Sequence, residues 1–139
     1  MRQSLFRKSI ILLVIIFLLN FFGSKFYWYG ILWWFDMPMH FLGGIWVTLS
    51  ALFIYIFRIP LKELKLRPIL IIGACSVLCV GFLWEVYEWT VQIIYPGAGL
   101  VTPLDSLSDF FFDLAGGGVA LYYVIHMARK RGFLIQSTV

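Results

Sequence analysis

The sequence predicts an all-α polytopic membrane protein, with four transmembrane helices in a compact bundle and a short interfacial aromatic segment after the first. Three observations carry this prediction. Hydrophobic residues fill 62% of the 139 positions and charged ones only 13%, against about 25% charged in a soluble domain. Such a chain cannot cover a globule with polar surface, which excludes a soluble monomer, a disordered chain and a secreted disulfide scaffold. The apolar residues form four continuous runs, each suited to the roughly 20-residue helix that crosses a bilayer. They lack the period-two alternation of barrel strands. The basic residues, finally, cluster beside alternate ends of these runs, as the positive-inside rule requires of an even number of spans.

The elements follow in order within one integral membrane domain, residues 1–139. The first span covers about 9–22. It has a basic lead-in and an apolar core, but no A-x-A-like cleavage site follows, so it reads as a retained anchor helix. The segment 26–35 holds Tyr27, Trp28, Tyr29, Trp33 and Trp34, an aromatic belt for the membrane interface with a short helix lying along it. The second span covers about 37–57, the third 68–94 and the fourth 107–128. Arg2, Arg7 and Lys8 precede the first span; Arg58, Lys62, Lys65 and Arg67 separate the second and third; Arg129, Lys130 and Arg131 follow the fourth. Ten of the eleven basic residues therefore share one side, leaving only Lys25 on the other. Both termini are expected in the cytoplasm of a bacterial inner-membrane type protein.

The seven acids partition the other way. Glu63 lies in the basic loop, whereas Asp36, Glu85, Glu88, Asp105, Asp109 and Asp113 all map to the outer half. Asp36 and His40 stand at i,i+4, Glu85 and Glu88 at i,i+3, and Asp105, Asp109 and Asp113 at successive i,i+4, so each set shares a helix face. An acid in mid-membrane costs about 2.5–3.5 kcal/mol on insertion scales. The cheapest arrangement turns the three acidic faces toward one another and neutralises them with a cation. Carboxylates favour Mg, Mn or Ca, while His40 admits Zn or Fe. Glu85, Glu88, Asp109, Asp113 and His40 are the candidate metal ligands, His40 and Asp36 the candidate catalytic pair, and Asp105 a possible addition.

Structural readings stand beside these. Thr102, Pro103 and Asp105 have the spacing of an N-cap, an N1 proline and an N3 acid. Asp36 could cap the second span. His126, near Arg129, reads as an interfacial side chain. Cys75 and Cys79 share one face of the third span and read as packing residues. Gly43 and Gly44, and Gly116 to Gly118, read as sites of close helix approach. The turn-rich connection 95–103 could cover the site.

Three of these segments carry a resemblance. Segment 35–44, FDMPMHFLGG, resembles the YDxxxHFxxG motif of the YjdF-type bacterial inner-membrane proteins. Segment 81–89, GFLWEVYEW, is similar to that family's YExxEW motif, and segment 105–117, DSLSDFFFDLAGG, to its D-x-x-x-D-x-x-x-D helix. The match runs in order from Phe35 to Ala120. More distantly the chain is similar to VanZ-like membrane proteins, some of which are tied to glycopeptide resistance. The resemblance implies that the motif acids and His40 form the site, and it names no reaction.

The functional expectation is a metal-dependent hydrolase or phosphoryl-transfer enzyme acting on a lipid or lipid-linked substrate at the outer leaflet. The alternatives are a cation- or proton-handling protein and a non-catalytic binding or assembly protein. Membrane lipids, a second copy of the chain or a partner helix are the expected partners, and nucleic acid is not.

Overall fold

In the computed structural model, which describes residues 1–95 and 101–134, the chain folds into α1 (Arg2–Lys25), α2 (Trp28–Ile31), α3 (Asp36–Arg58), a 3₁₀ turn (Leu61–Glu63), α4 (Leu66–Ile94) and α5 (Pro103–Lys130). Four of these helices are long and apolar enough to cross a membrane. Among the described residues there is no strand, only a single parallel bridge between Leu64 and Leu134.

Each boundary has a local cause. Tyr27 adopts a left-handed conformation, φ 57 and ψ 31, which ends α1 and starts the one-turn α2. A non-glycine residue there is uncommon and costs roughly 1–2 kcal/mol; its two neighbours, Phe26 and Trp28, stack on each other at a centroid distance of 6.0 Å. Pro38, Pro68 and Pro103 all fall in the first turn of their helices, where a missing N–H leaves no intrahelical bond unmade. Thr102 caps α5, its Oγ1 accepting the Asp105 backbone N–H at 3.2 Å. At the other end of α5, Gly132 takes φ +67; its N–H donates to the Arg129 carbonyl and that of Phe133 to the Ala128 carbonyl. This is the paired bonding of a Schellman stop, for which glycine is the favoured residue.

The helices overrun the apolar runs from which the spans are read. The first begins at Arg2 rather than near residue 9, and the fourth at Pro103 rather than near 107. Hydropathy marks where the hydrocarbon is, but backbone hydrogen bonding continues until a cap or a proline ends it.

The bundle is organised about α3 and α5, with α4 packed against both and α1 packed chiefly on α3. Glycine sets the α3–α5 distance. A Cβ on Gly44 would overlap the carbonyl oxygen of Asp113, and one on Gly116 would overlap that of Phe41. The two backbones thus touch reciprocally, which is how helices pack when lipid removes the hydrophobic drive between them. Among the described residues, nothing lies within 4 Å of a Cβ added at Gly43 or Gly118, so only part of each glycine cluster serves the contact. Cys75 and Cys79 are exposed rather than packed: their face of α4 turns away from α3 and α5. Leu70, Ile71, Leu78, Phe82 and Leu83 share this exposure, the surface expected toward lipid.

At the basic end, Leu5, Leu52, Ile56, Leu64, Ile69 and Val124 form a fully buried apolar cluster. Arg2 closes it, donating from Nε to the Ile56 carbonyl at 3.0 Å and from Nη2 to the Ile59 carbonyl at 2.6 Å. Both acceptors belong to the end of α3, whose free carbonyls and dipole favour a cation. Lys8 Nζ stands 5.2 Å from the centroid of the Tyr123 ring, and Met1, Phe133 and Leu134 pack on the same cluster, so the start of α1 and the end of α5 meet here. Hydrogen bonds to charged groups contribute about 1.5–3 kcal/mol each when buried. With Arg2 partly exposed, Arg2→Ala should cost about 1–2 kcal/mol in equilibrium unfolding in detergent, and Arg2→Lys should recover part of it.

Candidate functional site

At the opposite end, α3, α4 and α5 meet in successive layers one helical turn apart. The deepest layer joins Thr48 of α3, Val77 of α4 and Gly117 of α5; a Cβ on Gly117 would lie 3.1 Å from Thr48 Oγ1 and from Val77. One turn outward, Gly44, Gly81 and Asp113 meet. The Asp113 backbone rests on Gly44, and its Oδ2 lies where a Gly81 Cβ would come within 2.7 Å. The next turn holds His40 of α3, Glu85 of α4 and Asp109 of α5, with Glu88 beside them. One ligand atom from each of His40, Glu85, Glu88 and Asp109 lies within 4.8 Å of the others.

Three of these four side chains are deeply buried. His40 is 6% exposed, Glu85 5% and Asp109 2%. Among the described residues, both carboxylate oxygens of Glu85 and Oδ2 of Asp109 are buried without a hydrogen-bond partner. A buried charged oxygen without a partner is costly, and nearly all such groups in folded proteins are satisfied.

His40 stands between carboxylates on both sides of its ring. Nε2 lies 3.7 Å from Asp36 Oδ2 and 3.8 Å from Asp109 Oδ1, and Nδ1 lies 3.4 Å from Asp113 Oδ1. Asp36 makes no side-chain cap. It is the first residue of α3, and its carboxylate, one third exposed, faces His40 from the outer rim. Asp105 is held in the first turn of α5 by its backbone bond to Thr102, and it is not in the four-residue group. His126 stacks on Tyr122 at the far end of α5.

Two supports at this end are not evident in the sequence motifs. The Gln92 side-chain amide both donates to the Val101 carbonyl and accepts its N–H, and Trp89 Nε1 donates to Ser106 Oγ at 3.2 Å. Together they hold the outer ends of α4 and α5 at one separation. Of the connection 95–103 expected to cover the site, residues 96–100 lie outside the described residues.

The aromatic segment packs against the start of α3. Phe35, 6% exposed, takes both Trp28 and Tyr29 edge-on, at centroid distances of 5.3 and 4.9 Å. Its ring fills the space left by Gly23 on α1. The Tyr29 hydroxyl donates to Asn20 Oδ1 at 2.8 Å. Burial, then the charges of Asp36 and Glu88, push this phenol up to about 12, so Tyr29 stays a neutral donor beside the acidic rim. An i−4 glycine before Glu85 was the available signal for Gly81; nothing local in the sequence links Tyr29 to Asn20.

Comparison with known proteins adds a family. The DUF2238 family, described as predicted membrane proteins, matches residues 2–130, nearly the whole described bundle. It fits the resemblance to YjdF-type membrane proteins. No curated protein and no solved structure matches the chain. With four apolar helices in contact and the acidic motifs inside them, the chain belongs to the DUF2238 family of predicted membrane proteins.

Proposed function

We propose that His40, Glu85, Glu88 and Asp109 hold a divalent cation, and that the centre acts on a lipid or lipid-linked substrate at the outer leaflet. The observation that carries this reading is the set of orphaned oxygens: Glu85 Oε1 and Oε2 and Asp109 Oδ2, buried and unbonded among the described residues, within a group of four donors spanning 4.8 Å. Like charges at this distance repel unless a cation stands between them. Three carboxylates with one imidazole suit Mn, Mg or Ca, and the imidazole extends the range to Zn. Such an ion polarises a phosphoryl or ester oxygen and acidifies bound water.

The chain's own residues supply the rest. Asp36, on the rim, reaches His40 and would accept a proton at the mouth of the site. Below, the Thr48 layer and the apolar cluster around Leu52, Ile56, Ile69 and Val124 close the bundle, which favours a one-sided site over a through-pathway for ions. At the start of α3, a wholly apolar groove of about 350 Å³ runs between α1, α2 and α3, lined by Leu19, Trp28, Leu32, Phe35, Pro38 and Met39 among others. It has the chemistry to accept an acyl or isoprenyl chain. The positive-inside rule favours the basic end, with both termini, in the cytoplasm and this site outside, in a membrane of the bacterial inner type.

The test is elemental analysis of the detergent-purified protein after equilibration with Mn, Mg, Ca or Zn and removal of free ion. Wild type should retain about one divalent ion per chain, and Glu85→Gln and Asp109→Asn should retain less than about a tenth of that. A wild-type protein that retains none of the four ions would overturn the reading.

A further inference from the structure

Asp113 shares the acidic helix face of Asp109, and spacing alone ranks the two equally as ligands. The tertiary contacts separate them. The imidazole of His40 has two nitrogens on opposite sides of the ring, and they meet different partners. Nε2 faces Asp109 at 3.8 Å and Asp36 at 3.7 Å, and Asp109 is a member of the four-donor group. Nδ1 faces Asp113 at 3.4 Å, one turn deeper. Asp113 is outside the group whose ligand atoms converge. Its place is set by packing on two sides: its backbone lies against Gly44, and its Oδ2 occupies the space left by Gly81. A residue whose backbone rests on one glycine and whose carboxylate fills the space of another, with the side chain 11% exposed, has little freedom to swing outward.

We infer that Asp113 is a positioning residue rather than a metal ligand: it accepts the Nδ1–H of His40 and thereby presents Nε2 to the cation. The inference rests on the metal-centre reading above and assigns the residue that supports that centre from below. Its physical content is a tautomer choice. A neutral imidazole carries one ring proton; a carboxylate beside Nδ1 holds the proton there, leaving the Nε2 lone pair free and more basic toward a metal. Gly81 and Gly44 belong to the same device, because a side chain at either would displace Asp113.

The chain has two histidines, so a His126→Gln background leaves His40 as the sole imidazole for ¹⁵N NMR. In the metal-free protein the Nδ1–H of His40 should be held in a hydrogen bond and give a slowly exchanging proton signal, and Asp113→Ala should remove that signal. On titration with Zn²⁺ the Nε2 resonance should be the one that moves. Asp113→Ala should weaken Zn²⁺ affinity about 10- to 100-fold, the range for lost outer partners, while still binding one ion per chain. Asp113→Asn, whose amide oxygen can still accept the Nδ1–H, should lose less. Ligand variants such as Asp109→Asn should instead abolish stoichiometric binding. The inference is overturned if Nδ1 is the nitrogen that shifts with Zn²⁺, if Asp113→Ala removes the ion as completely as Asp109→Asn does, or if the metal-free Nδ1–H signal ignores Asp113. If wild type binds no Zn²⁺ but the Nδ1–H signal obeys Asp113, the metal reading fails while the Asp113–His40 pairing stands.

Discussion

Alanine at Gly44 or Gly116 is expected to destabilise the bundle by about 3 kcal/mol or more, at the upper end of the range for overpacking. The reason is what the new methyl group meets. At Gly44 it is the Asp113 carbonyl, and at Gly116 the Phe41 carbonyl. Neither obstacle is a side chain that can rotate away, so α3 and α5 must separate along the contact. The sign makes this a sharp test. Alanine is a better helix former than glycine by about 1 kcal/mol, so a glycine with open space around it should be neutral or improve. Gly43→Ala and Gly118→Ala are those controls, because among the described residues nothing lies within 4 Å of the new methyl group. Thermal unfolding of the four variants in detergent should divide them into two destabilised and two unharmed. Equal behaviour of Gly43→Ala and Gly44→Ala would refute the close α3–α5 contact.

The second large effect concerns Glu85, and it has opposite signs in two conditions. Both oxygens of Glu85 are buried and unbonded among the described residues, near Glu88 and Asp109. Glu85→Gln removes one like charge from this group, so the metal-free variant should be more stable than metal-free wild type, by about 1–2 kcal/mol on the scale of unsatisfied buried groups. With metal the order reverses. A ligand present at a hundredfold excess over its Kd stabilises the folded state by about 2.7 kcal/mol, and Glu85→Gln should forfeit this increment. Unfolding curves with and without Mn²⁺ or Zn²⁺ should therefore cross between wild type and variant. A variant that is less stable in both conditions would mark Glu85 as a structural residue. Sites that sacrifice stability for a ligand commonly behave in the crossing way.

The family of predicted membrane proteins to which the chain belongs comes with no reaction attached, so the chemistry must be argued from particular side chains. Much of it was legible in the sequence. The acids at 36, 85, 88, 109 and 113 stand at helical spacing on three separate runs, and the basic residues place those runs end for end. From these two patterns alone, the acids had to share one end of the molecule. Thr102 and Pro103 announced the start of α5. Other features were not legible. Cys75 and Cys79 share a face, but spacing does not say whether that face meets protein or lipid, and they are exposed. The three glycines 116–118 read alike in sequence, yet Gly116 and Gly117 touch α3 while Gly118 touches nothing among the described residues. The Tyr29–Asn20 bond joins residues on two helices whose angle depends on a left-handed Tyr27.

What the sequence determined by itself is the frame: the four membrane-spanning helices and the acids segregated from the basic residues. These follow from hydropathy and helical period, which are local along the chain. What only the tertiary structure decided is how the acids divide around His40. Asp109 and Asp113 are equivalent by spacing, but the reciprocal glycine contact of α3 and α5 fixes a vertical register between the helices. That register sets Asp109 level with Glu85 on the Nε2 side of His40, and drops Asp113 one turn below, against Nδ1 and Gly81. A helical repeat specifies a direction around one axis. The offset along a neighbouring axis comes from interlocking surfaces, and no single run of sequence contains it.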